Sequence, residues 1–279
     1  MQAIDVHTHL HPPRLFAAIR RWFAERSDWE LGDQPSEPPA VAGVLRAAGV
    51  ERFVFCSYAH KPGMASELNG WLAATARQLG GYGLPLASVH PDDPEPLGDL
   101  ARALDDGCIG LKIHENVQRV VLDDPRLRST LALLAERGAF VLVHVGPIPW
   151  TNDSGGGPER IARVLAAHPR LTIVVAHYGV PDTARYFAMM ATHPTLHLDT
   201  TMIFAPCSPM HRPVDPHALA AHAERVLYGT DFPNIPYAYG AERAAIESLE
   251  LSLAARTAIL RGNATRLLAQ FAGRPSARQ

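Results

Sequence analysis

The stretch from Cys108 to Val145, CIGLKIHENVQRVVLDDPRLRSTLALLAERGAFVLVHV, reads as a strand, a helix and a second strand. Its two ends, Cys108–His114 and Ala139–Val145, are near-continuous apolar runs, the pattern of parallel strands covered on both faces. Between them Asp124-Pro125 supplies an N-cap and a first-turn proline. Leu127, Leu131 and Leu134 line one side of the helix, and Gly138 ends it. Working outward, similar strand candidates occur at Ala3–His7, Arg52–Ser57, Gly83–Val89, Leu171–His177, Thr195–Thr200 and Arg225–Thr230. Another helix opens at Pro158, with Ile161, Val164 and Leu165 as its apolar stripe and His168-Pro169 closing it. Eight strands, each followed by a crossover, predict an α/β fold of the (β/α)8 TIM-barrel type. An open doubly wound sheet would carry a Gly-rich turn after its first strand, where this chain has His9-Leu-His11-Pro-Pro.

The length of 279 residues suits one such barrel, for which ~250 residues is typical. A single domain over residues 1–272 and a disordered tail over 273–279 are expected. Two stretches distort the alternation: the proline-rich Ser27–Ala40 and the segment Phe204–Pro216. Both fall on the C-terminal side of their strands, where they would cap a pocket or form a subunit contact in a homodimer. A net charge of −2 without a basic cluster argues against nucleic acid as a partner. No apolar run approaches the ~20 residues of a membrane span. Three widely spaced cysteines, Cys56, Cys108 and Cys207, do not make a disulfide framework. With no signal peptide recognisable at the start of the chain, a cytoplasmic location is expected.

Polar residues gather where the predicted strands end. Asp5-Val-His7-Thr-His9 places two imidazoles on one strand face, which is half of a site for zinc or a similar divalent ion. The fourth strand ends Lys112-Ile-His114, the fifth His144, the sixth His177, the seventh His197-Leu-Asp199 and the eighth Thr230-Asp231. Charged or imidazole groups there are costly unless paired or bound to metal. Convergence of His7, His9, His144, His177 and Asp231 on one barrel mouth therefore predicts a divalent metal centre. Cys56 and Cys108 lie inside apolar runs and read as core. His11 shapes the first loop, and His168, His193, His217 and His222 read as surface residues. His60, His90, His197 and His211 lie near strand ends or in loops. Arg14 is a candidate contact for an anionic substrate, and Trp150 a candidate pocket wall. The run Gly155-Gly-Gly157 lacks the Lys-Ser/Thr of a phosphate loop.

Taken together, DVHTHLHP, GLKIH, VLVHVG, VVAHYG, YGTDFP and RGNATRLL resemble the ordered signature of the amidohydrolase superfamily. The pattern is most similar to its amidohydrolase-related (type 2) branch of metal-dependent TIM-barrel hydrolases and decarboxylases, the aminocarboxymuconate-semialdehyde decarboxylase family among them. The resemblance runs from the first strand to the last helix. It implies one divalent metal, zinc ahead of manganese or iron, held by His7, His9, His144 and Asp231, with His177 beside the metal-bound water. Such a site leaves the ion positive with an open position, and acidifies water from ~15.7 towards ~7. Asp231 and His177 are then the catalytic candidates, His177 as base or oxyanion stabiliser. In binuclear branches a fourth-strand lysine is carbamylated and bridges two metals, which would give Lys112, His144 and His177 that role. In the one-metal form, Lys112 and His114 would bind a substrate carboxylate or oxyanion. The structural alternative for Lys112 is a strand-end ion pair with Asp199 or another barrel-mouth acid. The implied function is hydrolysis of an amide, lactone or ester-like bond of a small, anionic organic acid. The alternative is non-oxidative decarboxylation of an unsaturated or aromatic acid. A non-catalytic, ligand-binding barrel is a third reading.

Overall fold

In a computed structural model, which describes residues 1–26, 29–146, 148 and 156–271, eight parallel strands alternate with helices in the predicted order. They are β1 (Ala3–His9), β2 (Val50–Cys56), β3 (Gly83–Pro85), β4 (Gly110–His114), β5 (Phe140–His144), β6 (Thr172–Val175), β7 (Leu196–Asp199) and β8 (Val226–Leu227). Regular ladders join β1-β2-β3 and β4-β5-β6-β7-β8 in sequence order. Isolated backbone hydrogen bonds span the two seams. Ala87 N–H donates to Gly110 O at 2.8 Å and Lys112 N–H to Ala87 O at 2.9 Å. On the other side, Val6 N–H donates to Tyr228 O at 2.9 Å and His9 N–H to Phe232 O at 2.8 Å. The architecture is a (β/α)8 TIM barrel whose ladders are interrupted at those seams.

Strand alternation sorts the side chains into layers. On β4, β5 and β6 one face carries Leu111, Ile113, Val141, Val143, Ile173 and Val175, which pack in the cluster that holds the helix residues Leu131, Leu134, Ile161 and Leu165. The other face carries Phe140, Leu142, Val174 and Ala176, which cluster with Leu267, Leu268 and Phe271 at the end of the chain. His144 continues that face two residues beyond Leu142, so an imidazole follows two apolar layers. The expected helix after Asp124 is a single 3-10 turn, Pro125–Leu127, running into Arg128–Arg137, with Gly138 left-handed at φ +63°.

Three expectations shift. The third strand is cut to Gly83–Pro85 because a proline has no N–H for the ladder, and only Ala87 bridges beyond it. The eighth shrinks to two residues. The proline-rich insertion is not a loop throughout: a helix, Pro38–Ala47, starts inside it, with proline in its first turn where a missing N–H costs nothing. Trp150 and the tail 273–279 lie outside the described residues. No helix among the described residues is long and apolar enough to cross a membrane.

Candidate active site

β1 is irregular where its histidines stand. Its register against β2 shifts between Asp5 and Thr8, and the carbonyl of His7 accepts both Thr230 N–H at 3.2 Å and Asp231 N–H at 2.8 Å. The H-x-H segment is thus locked to the end of β8. Asp5 anchors it from behind, accepting from His7 N–H at 3.1 Å, Thr230 Oγ1 at 2.7 Å and Tyr239 OH at 3.0 Å. Gly229 makes the close approach feasible. A Cβ there would sit 2.5 Å from Thr201 Oγ1 and 2.9 Å from His7 Cβ.

Three donor atoms then crowd one point. Asp231 Oδ1 lies 2.9 Å from His9 Nε2 and 3.1 Å from His7 Nε2. Lys112, fully buried on β4, places Nζ 2.8 Å from His7 Nε2. On the far side of the ring, His7 Nδ1–H donates to Asp199 Oδ2 at 2.8 Å, which leaves the Nε2 lone pair facing the cluster. Asp199 Oδ1 accepts His177 N–H at 2.9 Å and Thr201 N–H at 3.1 Å, so one carboxylate ties β1, β6 and β7 together. Lys112 is hydrogen-bonded to His7 rather than ion-paired with Asp199.

His144 and His177 complete the ring of imidazoles. His144 Nε2–H donates to Gly146 O at 3.1 Å, leaving its Nδ1 with the lone pair. Its ring stacks on His114 at 4.1 Å and meets His177 edge-on at 4.6 Å. His177 donates Nδ1–H to Thr201 O at 3.2 Å, leaving Nε2 as the free nitrogen. His177 and Asp231 hold left-handed φ angles of +55° and +69°, a strain of order 1–3 kcal/mol each that surrounding contacts must outweigh.

Burial governs the electrostatics. It opposes charge on every imidazole, and holds His144 and His114 well below the usual histidine range and His177 down at about 4. His9 is lowered for the same reason, against the pull of Asp231. At His7, burial and the charge of Lys112 work against protonation, yet Asp199 and Asp231 outweigh them and raise it. Burial likewise opposes the charge on Asp231, but His9 and His7 hold that carboxyl well below its usual range. A divalent cation requires neutral imidazoles and an ionised carboxylate; His9, His144 and Asp231 are already in that state, whereas His7 would have to give up any extra proton on binding.

The donor set fits such an ion. His7, His9 and Asp231 converge directly; the predicted ligand His144 lines the same cavity but is not brought into their close group of ligand atoms. Cys56 also lies near, its ligand atom and those of His7 and His9 all within 4.8 Å of one another. Its thiol donates to Thr8 O at 3.3 Å, and burial pushes its pKa up to about 12.

Of the sequence candidates, His9, Lys112, His114, His144, His177 and Asp231 line one cavity of about 60 Å³, and His7 stands behind it, fully buried. Arg14 does not join them. It is exposed on the helix Pro13–Arg26, whose inward side carries Leu15, Phe16, Ile19 and Phe23 instead. Residues the motifs did not single out as site residues also line the cavity: Phe23, Trp29, Tyr58, Met202, Met210 and Asn234. Asn234 belongs to a relay in which His11 bonds Ser57 Oγ at 2.8 Å and Asn234 Nδ2 at 3.4 Å. Asp199 was legible as one more strand-end acid, and its use in orienting His7 was not.

The family model for amidohydrolase matches residues 4–270. The chain belongs to the amidohydrolase family. No curated protein matches it significantly. Among solved structures, an uncharacterized TIM-barrel protein from Bordetella bronchiseptica is 25% identical, covering 97% of this chain and 99% of its own, with a TM-score of 0.74. The 2,6-dihydroxybenzoate decarboxylase from Rhizobium is 18% identical, covering 96% and 99%, with a TM-score of 0.70. A dihydroxybenzoic acid decarboxylase from a Polaromonas species, with bound manganese and the inhibitor 2-nitroresorcinol, is 15% identical over 96% and 97%, also at 0.70. At their identities the two decarboxylases bear on the fold alone.

Proposed function

We propose that this amidohydrolase-family protein is a metal-dependent, non-oxidative decarboxylase of an aromatic or unsaturated carboxylic acid. The observation that carries the reading is the placement of Lys112. A buried amine stands beside His7 in a cavity also walled by imidazoles, by Phe23, Trp29, Tyr58, Ile148 and two methionines, and by the polar Asn234 and Asp231. A substrate carboxylate entering there loses its water and gains the positive charge of Lys112, in low-dielectric surroundings where such pairing is strong. Loss of carbon dioxide spreads that carboxylate's charge, so removal from bulk water favours it. Likeness in fold to structures named as decarboxylases supports this order of preference over the hydrolysis that the motifs alone put first.

His7, His9, His144 and Asp231 would hold the divalent metal, manganese or zinc. When bound, the ion supplies positive charge that orients and polarises the substrate's oxygens. The chain's own residues do the rest. Lys112 binds the carboxylate, and the aromatic walls exclude water. The carbon–carbon bond breaks with its electron pair left on the substrate carbon. His177 Nε2 takes a proton from solvent and passes it to that carbon, so RCO2⁻ and H⁺ become RH and CO2. Burial keeps His177 neutral at rest, and an anionic substrate alongside favours its protonation.

Hydrolysis remains the second reading, favoured by the pairing of Asp231 with a lone-pair-bearing His177 across one cavity. A single experiment separates the two. Metal-loaded protein is incubated with a panel of aromatic acids, unsaturated acids, lactones and amides in heavy-oxygen water and, separately, in D2O. Decarboxylation gives carbon dioxide and one deuterium on the product carbon. Hydrolysis gives labelled oxygen in the product and no carbon dioxide, which would overturn the proposal.

A further inference from the structure

The reactive cavity has a volume of about 60 Å³, well under that of the space beside it. A second, larger cavity of about 410 Å³ adjoins it, and Phe23, Tyr58, His114 and Ile148 line both. The larger volume lies within the ~300–1,000 Å³ of sites that take small organic molecules. Its walls are mainly apolar: Leu15, Ala18, Ile19 and Trp22 come from the helix Pro13–Arg26, and Val117 from the short turn after β4.

Unpartnered polar atoms punctuate this two-part space. His114 Nδ1, Asn116 Oδ1 and Asn234 Oδ1 are buried with no hydrogen-bond partner among the described residues. Asn234 lines the reactive cavity, Asn116 the outer one, and His114 the junction. A buried acceptor without a donor costs ~1–3 kcal/mol, a cost the fold carries beside these cavities. Arg119, exposed at the end of the same turn, adds a positive charge to the outer cavity's lining.

We infer that the outer cavity is the specificity subsite, and that it takes the apolar, ring-sized or larger body of an acid whose carboxylate reacts in the inner one. Asn116, which lines that cavity, then offers its side-chain amide to a polar group on that body. The inference rests on the decarboxylase reading for what happens to the carboxylate, but not for how the body is bound. A short acid fills only the inner space; an extended aryl acid fills both.

Calorimetry on the full chain, with and without added manganese, tests this with benzoate, biphenyl-4-carboxylate and 4′-hydroxybiphenyl-4-carboxylate as probes. The biphenyl acid is expected to bind at least tenfold tighter than benzoate. Ala18→Trp projects from an exposed helix position into the outer cavity. It should erase that preference and leave benzoate affinity within about twofold. Asn116→Leu should erase only the gain from the distal hydroxyl. An undiminished biphenyl preference in Ala18→Trp overturns the subsite, as does the absence of any preference in the wild type. So does a change from dimer to monomer in Ala18→Trp by sedimentation, which would make this face a contact with a second copy. Ring preference without carbon dioxide release from any acid supports the subsite and removes the decarboxylase reading. Carbon dioxide release without ring preference does the reverse.

Discussion

Replacing Asp199 by asparagine tests the metal-centre geometry at a residue that touches neither substrate nor the expected ion. Its Oδ2 takes the His7 Nδ1–H at 2.8 Å, while Oδ1 takes two backbone N–H groups, from His177 and Thr201, at 2.9 and 3.1 Å. In Asp199→Asn the oxygen can keep the backbone pair, so the amide NH2 is left facing His7. Two donors then oppose each other across a hydrogen-bond distance. The proton on His7 must move to Nε2, the nitrogen that lies 3.1 Å from Asp231 and is needed as a lone pair. Carboxylates behind a ligand imidazole are worth 10–100-fold in metal affinity, or about 1.4–2.8 kcal/mol, and this one has the added tautomer penalty. Competition with a fluorescent chelator for manganese and for zinc measures the loss. Circular dichroism should show an intact fold, since both backbone caps survive. A variant affinity within twofold of wild type for both ions would refute the role given to His7 Nε2.

Three further outcomes follow from the same contacts. Gly229→Ala would force its Cβ to within 2.5 Å of Thr201 Oγ1 and 2.9 Å of His7 Cβ; overpacking of this kind costs ~1–3 kcal/mol. A lower urea midpoint together with weakened metal binding is expected, and unchanged values for both would count against the close approach. Gln118→Leu removes a clamp that accepts His114 N–H at 2.8 Å and donates to Val89 O at 2.8 Å and Ala59 O at 3.2 Å. At ~1 kcal/mol per bond, a destabilisation of ~2–3 kcal/mol is expected by denaturant titration, and a loss under 0.5 kcal/mol would show the loops to be held by other means. Glu242 accepts three backbone N–H groups from Ile203, Phe204 and Ala205, yet burial pushes its carboxyl from its ordinary 4.5 up to about 8. The folded state therefore holds a proton that the unfolded state releases, so this stabilisation is complete below pH 4.5 and is lost as pH rises through about 8. The wild-type urea midpoint should fall relative to that of Glu242→Gln between pH 5 and 9, and parallel curves would contradict it.

What could be read from the chain and what could not divide along a physical line. Strands buried on both faces leave unbroken apolar runs, so the barrel order showed through even where no two segments are alike. Imidazoles and carboxylates at the ends of such runs are conspicuous because burial makes them expensive, and that is why His7, His9, His144, His177 and Asp231 stood out. The ends of β3 and β8 were overextended because an apolar run records burial rather than pairing: Pro85 lacks the N–H a ladder needs, and the chain at Gly229 turns aside to meet His7. The helix Pro38–Ala47 that begins at the end of this proline-rich stretch is hidden by prolines that start it rather than break it.

The larger gap concerns residues whose role is conferred by distant partners. Asp199 orients His7 from 192 positions away, and Asn234 meets His11 across 223. Such pairs carry no local period. The helix Pro13–Arg26 shows the consequence most clearly. Its apolar side reads as ordinary core packing, and its Arg14 as the natural contact for an anion. In the fold the relation is reversed: Arg14 faces outward, and Leu15, Ile19, Trp22 and Phe23 wall the space beside the reactive cluster. On the proposed reading the barrel itself supplies anion binding, at Lys112, and the helix discriminates by shape. Catalytic groups on strand ends and specificity groups on the covering helix could then change separately, because exposed Ala18 lies on a different element from His7, Asp199 and Asp231.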